Sequence, residues 1–287
     1  MTGDEGRPVS VAARDGYALA GKVFLPTGET PGTVVVINSA TAVPQGYYRG
    51  FARYLAERSA AALTYDYRGI GGSAPARLRG FEARMRDWAE QDVAGAIDWA
   101  GATFPHASLR AVGHSVGGHA LGLACNNHRI DRAVAVAAQS GYWGFSATPE
   151  RYRVLALMGA VLPALTHTVG YGPASRLGIG EDLPKGVLLE WARWCRMPEY
   201  FFADETLASL RNFGALACPL LSVRAADDPW ATERAVGHFV GHFTNAQVTH
   251  RVIEPGEAGV DKLGHFGPFR SRVKETVWRE MADWVLA

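Results

Sequence analysis

The chain has 287 residues, of which 48% are hydrophobic and 20% charged, as in an ordinary soluble globular protein. Its 29 basic and 28 acidic residues leave a formal net charge of +1, so neither nucleic acid nor an anionic membrane surface is an expected partner. Three widely spaced cysteines, and a polar N-terminal stretch without an apolar core, predict a cytoplasmic protein with free thiols.

Apolar patterning predicts alternating strands and helices along the whole chain. Residues 8–24 alternate around an Arg-Asp-Gly turn, which is typical of an antiparallel hairpin. Buried strands are then expected at 33–37, 60–65, 109–112, 132–138, 219–224 and 248–253, with helices at 47–58, 84–102, 118–124, from about 231, and at 266–287. This order predicts an α/β fold in a single domain over residues 1–287, with a mainly parallel sheet and helices on both faces.

Residues 140–217 separate two predicted strands that a few residues could connect, so this segment is expected to be a functional insertion. Helical spacing within it, near 151–166, 184–196 and 204–213, predicts a helical cap. Its longest apolar run, residues 154–165, is interrupted by a glycine and a proline. We expect this run to be too short for a membrane helix, and no membrane partner is predicted.

The stretch Gly113-His114-Ser115-Val116-Gly117 has the pattern G-x-S-x-G between a predicted strand and a predicted helix. Strand, G-x-S-x-G and helix in this order form a nucleophile elbow, in which a tight turn exposes the serine hydroxyl. The flanking glycines are needed because a Cβ at either position would collide in so sharp a turn. Ser115 is therefore the predicted nucleophile.

A serine hydroxyl needs an adjacent base, which is itself oriented by an acid, and in this architecture the acid and then the base follow the serine along the chain. Asp227 and Asp228 come directly after the strand predicted at 219–224, where one carboxylate is required and the other can cap the following turn. His265 is the one histidine after this pair that falls in a loop beyond the last predicted strand. It is the predicted base.

These features together resemble the alpha/beta-hydrolase superfamily over essentially the whole chain. The matching residues are the elbow at Ser115, the acid pair, Gly264-His265, and the turn at residues 66–73, which is similar to the family's D-x-R-G-x-G-x-S. The family's Gly-x-x-Asp pattern falls on residues 225–228 and favours Asp228 over Asp227, although alanine replaces its glycine. The turn lacks the third glycine of a dinucleotide fingerprint, at Ala74, and no cofactor is expected.

The resemblance also implies an oxyanion hole formed by the Ala40 and Val116 N–H groups. Many family members carry His-Gly before the first of these donors, whereas this chain has Asn38-Ser39. This departure leaves the reaction type more open than the elbow alone does, since one such donor is worth roughly 3–4 kcal/mol in the transition state.

The leading functional expectation is a serine hydrolase that cleaves a carboxylic ester of a small apolar or aryl acyl group through an acyl-enzyme. Aromatic side chains beside the catalytic loops, Trp143, Trp230 and Phe266, are the predicted substrate pocket. An acyltransferase, thioesterase, lactonase or carbon–carbon bond hydrolase on the same triad is the alternative; a non-catalytic binding module is disfavoured, since it has no need of the three residues. No metal site is predicted, the expected partner is a small-molecule substrate, and a homodimer is left open.

Overall fold

Eight strands form one sheet in the computed structural model, which describes residues 6–28 and 30–287. The strands are β1 Arg7–Ala12, β2 Ala18–Phe24, β3 Thr33–Asn38, β4 Ala61–Tyr65, β5 Ser108–His114, β6 Arg132–Val136, β7 Pro219–Ala225 and β8 Gln247–Ile253. Their order is β1-β2-β4-β3-β5-β6-β7-β8, with antiparallel pairing at β1–β2 and β2–β4 and parallel pairing elsewhere. This confirms the predicted hairpin and mainly parallel sheet; the expectation for residues 1–5 lies outside the described residues.

Nine α-helical segments accompany the sheet in the described part of the chain. They are α1 Arg49–Ala56, α2 Met85–Asp87, α3 Ala94–Thr103, α4 Val116–Leu123, α5 Glu150–Ala156, α6 Leu162–Val169, α7 Lys185–Cys195, α8 Glu233–Val240 and α9 Arg279–Leu286. Stretches of π-helix at Trp88–Val93, Leu157–Val161 and Lys274–Trp278 connect or extend several of them. The helices pack apolar faces on the sheet, as with Phe51, Ala52 and Leu55 of α1, which are fully buried.

The helix after the acid pair begins later than expected, at Glu233 rather than near Ala231. Thr232 is its N-cap and accepts a hydrogen bond from the Ala235 N–H at 3.2 Å. Neither Asp227 nor Asp228 caps this helix, which leaves both carboxylates available for other partners.

The insertion at residues 140–217 lies between β6 and β7 and contains α5, α6 and α7. Arg86 of α2 ties it to the rest of the fold, because its guanidinium lies 2.8 Å from Glu190 and 3.0 Å from Asp204. All three side chains are at most 12% exposed. Removing Arg86 would leave the buried Glu190 carboxylate without this ion pair, so the cluster helps to fix the position of the insertion.

The helical segment Glu150–Val169 is long and apolar enough to cross a membrane by length and composition alone, with 20 residues and a mean hydropathy of 1.3. The expectation that this run is too short was wrong on length, because the helix extends beyond the apolar residues at both ends. Its inner residues Leu157, Met158 and Leu162 line the cavity described below.

Candidate active site

Ser115 occupies a strained turn between β5 and α4. Its backbone has φ 53° and ψ −115°, a conformation that residues with a side chain rarely adopt. A Cβ on Gly113 would lie 2.4 Å from the Gly117 carbonyl oxygen, and one on Gly117 would lie 2.2 Å from the Asn38 carbonyl oxygen. Only glycine therefore lets the turn close and pack against β3, which holds the Ser115 hydroxyl at the carboxyl edge of the sheet.

His265 and Asp228 form a buried pair, with Nδ1 of the imidazole 2.7 Å from Oδ2 of the carboxylate. The other carboxylate oxygen accepts hydrogen bonds from the N–H groups of Trp230 and Ala231. Burial opposes ionisation of Asp228, but the His265 imidazole and these two amides hold its pKa below the ordinary value. A carboxylate at this position keeps the proton of His265 on Nδ1 and leaves Nε2 free to accept one.

Asp227 has a different set of partners. Its two oxygens accept hydrogen bonds from the N–H groups of Leu263 and Gly264, at 2.9 and 2.8 Å. The neighbouring carboxylates thus divide the work: Asp228 contacts the imidazole, and Asp227 holds the loop that carries it.

The structure brings Ser115 and His265 to the wall of one cavity, with Asp228 behind the imidazole. The Ser115 hydroxyl makes no hydrogen bond within residues 6–28 and 30–287. Catalytic hydrogen bonds are often long before substrate binds, so the lack of a hydrogen bond on the Ser115 hydroxyl is compatible with a nucleophile that His265 activates.

Of the two predicted oxyanion donors, Val116 has a free N–H group. It is the first residue of α4, lines the cavity, and its N–H has no partner among the described residues. Ala40 also lines the cavity, but its N–H already donates to the Tyr48 hydroxyl at 2.8 Å, so the prediction that Ala40 supplies the second donor requires correction. The next residue, Thr41, lines the same cavity, and its N–H makes no hydrogen bond in the described part of the chain.

A buried chain of hydrogen bonds runs from Ala40 to the backbone of His265. The Tyr48 hydroxyl lies 2.7 Å from Nδ1 of His114, and Nε2 of His114 lies 3.0 Å from the His265 carbonyl oxygen. A carbonyl can only accept, so Nε2 carries the hydrogen, Nδ1 accepts from Tyr48, and the Tyr48 oxygen accepts from Ala40. Burial lowers the pKa of His114 to about 3 and keeps the ring neutral. We call this the Tyr48–His114 relay; sequence reasoning missed it.

The cavity beside Ser115 has a volume of about 230 Å³. The insertion supplies mainly apolar walls, namely Val154, Leu157, Met158, Leu162, Leu177, Ile179 and Trp191. The predicted pocket residues Trp230 and Phe266 line it, and the Trp230 indole packs 4.9 Å from the His265 ring while its N–H donates to Glu150. Trp143 does not line it, because its ring packs against Tyr142 instead.

The sheet order, the serine elbow and the His–Asp pair define the protein as an alpha/beta-hydrolase. The family model described as "Serine aminopeptidase, S33" (Hydrolase_4) matches residues 29–179. The chain belongs to this family and is a serine hydrolase. Among residues 6–28 and 30–287, no cluster of histidine, cysteine and acidic side chains is suited to holding a metal ion.

Solved structures with the same fold cover nearly the whole chain at low sequence identity. An esterase from Exiguobacterium antarcticum is 15% identical, with a TM-score of 0.62 over 98% of this chain and 100% of that one. A thermophilic esterase from Thermogutta terrifontis is 17% identical, with a TM-score of 0.60 over 98% of each chain. A serine hydrolase without a lid from Xanthomonas campestris is 13% identical, with a TM-score of 0.56 over 99% and 96%. No curated protein matches the chain significantly.

Proposed function

We propose that this protein hydrolyses carboxylic esters of small apolar or aryl acyl groups through an acyl-enzyme on Ser115. The observation that carries the proposal is the buried His265–Asp228 pair beside the strained serine turn, at the edge of a mainly apolar cavity. These are the parts that acyl transfer needs: a nucleophile, a correctly protonated base and an oriented acid.

In the proposed mechanism, the Ser115 oxygen attacks the ester carbonyl while Nε2 of His265 takes the hydroxyl proton. The negative oxygen of the tetrahedral intermediate accepts hydrogen bonds from the Val116 and Thr41 N–H groups. The imidazolium then gives its proton to the departing alcohol, and Asp228 stabilises its positive charge. Water attacks the acyl-enzyme with the same base and frees the acid.

The size of the cavity favours a small substrate. Pockets for drug-sized ligands usually measure about 300–1,000 Å³, whereas this cavity measures about 230 Å³. Its walls are mostly aliphatic and aromatic, which favours an apolar acyl group over a charged one.

The description of the family suggests an aminopeptidase as a second candidate. Such an enzyme must hold the free ammonium group of its substrate, and this requires an unpaired carboxylate in the pocket. Glu150 is the sole carboxylate among the described lining residues, and it is already paired with Arg153 and with the Trp230 N–H. The ester is therefore the better supported substrate.

Two measurements test the proposal together. A fluorophosphonate probe should label Ser115 alone, as located by peptide mass mapping, and should leave a folded Ser115→Ala variant unlabelled. The same wild-type protein should hydrolyse p-nitrophenyl acetate or butanoate and leave aminoacyl p-nitroanilides intact. A labelled enzyme that cleaves only the anilides would replace the esterase with the aminopeptidase, and a folded wild-type protein that resists the probe would remove the serine mechanism.

The proposal also covers the cellular compartment of the protein and the role of the helical segment Glu150–Val169. All three cysteines are unpaired, which suits a reducing compartment such as the cytoplasm. We propose that the helical segment Glu150–Val169 serves as a wall of the cavity, since a membrane span would remove that wall.

A further inference from the structure

Two residues that line the active-site cavity carry buried polar atoms without a partner in the described part of the chain. Gln139 and Ser140 follow β6 and line the same cavity as Ser115. Gln139 is 8% exposed and Ser140 1% exposed. Within residues 6–28 and 30–287, the carboxamide oxygen of Gln139 and the hydroxyl oxygen of Ser140 are buried without a hydrogen-bond partner.

Hydrogen bonds fix the backbone of these two residues, so their side chains start from a defined position. The Gln139 carbonyl accepts from Nε2 of His119 at 2.7 Å, and the Ser140 N–H donates to the Ala235 carbonyl at 2.9 Å. A buried amide or hydroxyl without a hydrogen bond is costly, so each such group calls for an explanation. Two such groups on a fixed loop beside the nucleophile point to a ligand that pairs with them.

Other buried polar groups without a partner lie away from the active-site cavity. The Thr166 and Ser209 hydroxyls are also buried without a partner, but neither residue lines the cavity. Two further adjacent pairs, Asn38–Ser39 and Asn126–Asn127, also keep buried polar atoms without a partner, but none of these four residues lines the cavity. Gln139 and Ser140 form the adjacent pair of which both residues line it.

We propose that Gln139 and Ser140 form a polar subsite that binds an uncharged hydroxyl or amide group on the acyl part of the ester. This inference rests on the proposed ester hydrolysis and narrows its substrate class to esters whose acyl group carries a hydroxyl or an amide. A carboxamide and a hydroxyl each donate and accept hydrogen bonds, so the complementary group must do both. An uncharged group fits because neither the carboxamide nor the hydroxyl carries a charge that could pair with a buried ion.

The first test compares p-nitrophenyl esters that differ only by a hydroxyl or a methyl group on the same acyl carbon, such as 3-hydroxybutanoate and 3-methylbutanoate, with further pairs substituted at C2 and C6. Wild type should favour the hydroxyl in at least one pair by about tenfold in kcat/KM. Gln139→Met and Ser140→Ala should each reduce that preference to about threefold or less, because kcat/KM falls further for the hydroxyl ester than for the methyl ester.

Thr166→Val is the matched control, since it removes a buried unpaired hydroxyl that lies outside the cavity. It should keep the hydroxyl preference. The subsite is rejected when no pair favours the hydroxyl, or when the preference survives in both subsite variants. Thermal unfolding of each variant shows that a changed preference is not a folding defect.

A binding measurement separates failure of the subsite from failure of the esterase. Calorimetric titration of the Ser115→Ala variant with 3-hydroxybutyramide and 3-methylbutyramide needs no turnover. The hydroxyl ligand should bind at least about fivefold more tightly, and adding Gln139→Met should remove the difference. If the wild type hydrolyses no ester but this preference is found, the esterase fails and the subsite stands; equal binding of the two amides overturns the subsite.

Discussion

The two sides of the active-site cavity are built in opposite ways. On the sheet side, the side chains of His114, Asp228 and His265 are at most 7% exposed, and each is fixed by at least one hydrogen bond. On the insertion side, the wall is a helical segment of which 17% is buried, and its outer face exposes Tyr152, Leu155, Val161 and Leu165. The sheet side therefore carries the reacting groups, whereas the insertion supplies most of the apolar wall of the cavity.

The largest expected effect is on the sheet side, at Asp228. In Asp228→Asn the remaining oxygen can still accept from the Trp230 and Ala231 amides, which turns the new NH₂ group toward Nδ1 of His265. The imidazole must then carry its proton on Nε2, the wrong tautomer, and we expect kcat for p-nitrophenyl butanoate to fall about 10⁴-fold.

Asp227→Asn is the matched variant at the neighbouring position. It weakens one of two hydrogen bonds to the loop and leaves the contact between Asp228 and His265, so kcat should fall about tenfold or less. Losses of similar size in the two variants would show that the carboxylates do not divide their roles as described.

The next effect concerns stability, at the Tyr48–His114 relay. Tyr48→Phe leaves the buried Ala40 N–H and Nδ1 of His114 without partners, and should lower the free energy of unfolding by about 2–5 kcal/mol. Tyr67→Phe removes a hydroxyl that donates a longer bond, of 3.1 Å, to the Ser39 carbonyl, and should lower the free energy of unfolding by about 1 kcal/mol. Denaturant unfolding of both variants tests this order; equal losses would mean that the relay adds nothing beyond one hydroxyl.

A third effect depends on pH, at His119. Burial lowers its pKa from 6.5 to about 4, although the Gln139 carbonyl opposes the shift. Between these pH values the unfolded chain binds a proton that the folded protein does not, so the free energy of unfolding falls as the pH falls, by about 3 kcal/mol in total.

His119→Phe retains an aromatic ring against Phe201 and Phe239 but cannot bind a proton. Wild type should therefore lose stability relative to this variant between pH 6.5 and 4, as followed by denaturant unfolding across the range. Curves that stay parallel would show that His119 does not titrate in this way.

The smallest effect is on the insertion side. Leu157 faces the cavity and Leu155, on the same helical segment, faces outward at 36% exposure. Leu157→Ala should enlarge the cavity and shift the preferred p-nitrophenyl ester to a longer acyl chain, by a few-fold in kcat/KM, whereas Leu155→Ala should leave the preference as it is. A shift of equal size in both would mean that the segment acts on the substrate through its position and not through this side chain.

The elbow and the order of the strands could be predicted because they depend on local patterns. Gly113 and Gly117 mark the turn in the sequence, and β-branched runs mark the strands on either side of it. The acid pair could be placed after β7, and the family's Gly-x-x-Asp pattern favours Asp228, which is the carboxylate that contacts His265. The role of Asp227 in holding residues 263–264 could not be predicted, because it depends on a loop that the local sequence does not describe.

The predicted roles of Ala40 and Trp143 were wrong because they depend on contacts that the sequence pattern does not show. Ala40 has the right position along the chain, yet Tyr48 occupies its N–H through a contact that the pattern around residue 40 does not contain. Trp143 is close to the catalytic loops in sequence, but its ring turns toward Tyr142. No sequence pattern marks Gln139 and Ser140, because a buried polar group can be recognised as unpaired only when all its neighbours in the structure are known.

The Tyr48–His114 relay has a consequence for how the enzyme matures. It joins the end of β3, the segment before α1, the end of β5 and the loop after β8, and its last acceptor is the His265 carbonyl, near the end of the chain. A ribosome makes the nucleophile long before it makes that acceptor, and domains form their non-local contacts only once the chain is available. The nascent protein therefore has its nucleophile but lacks its base until the loop after β8 has been synthesised.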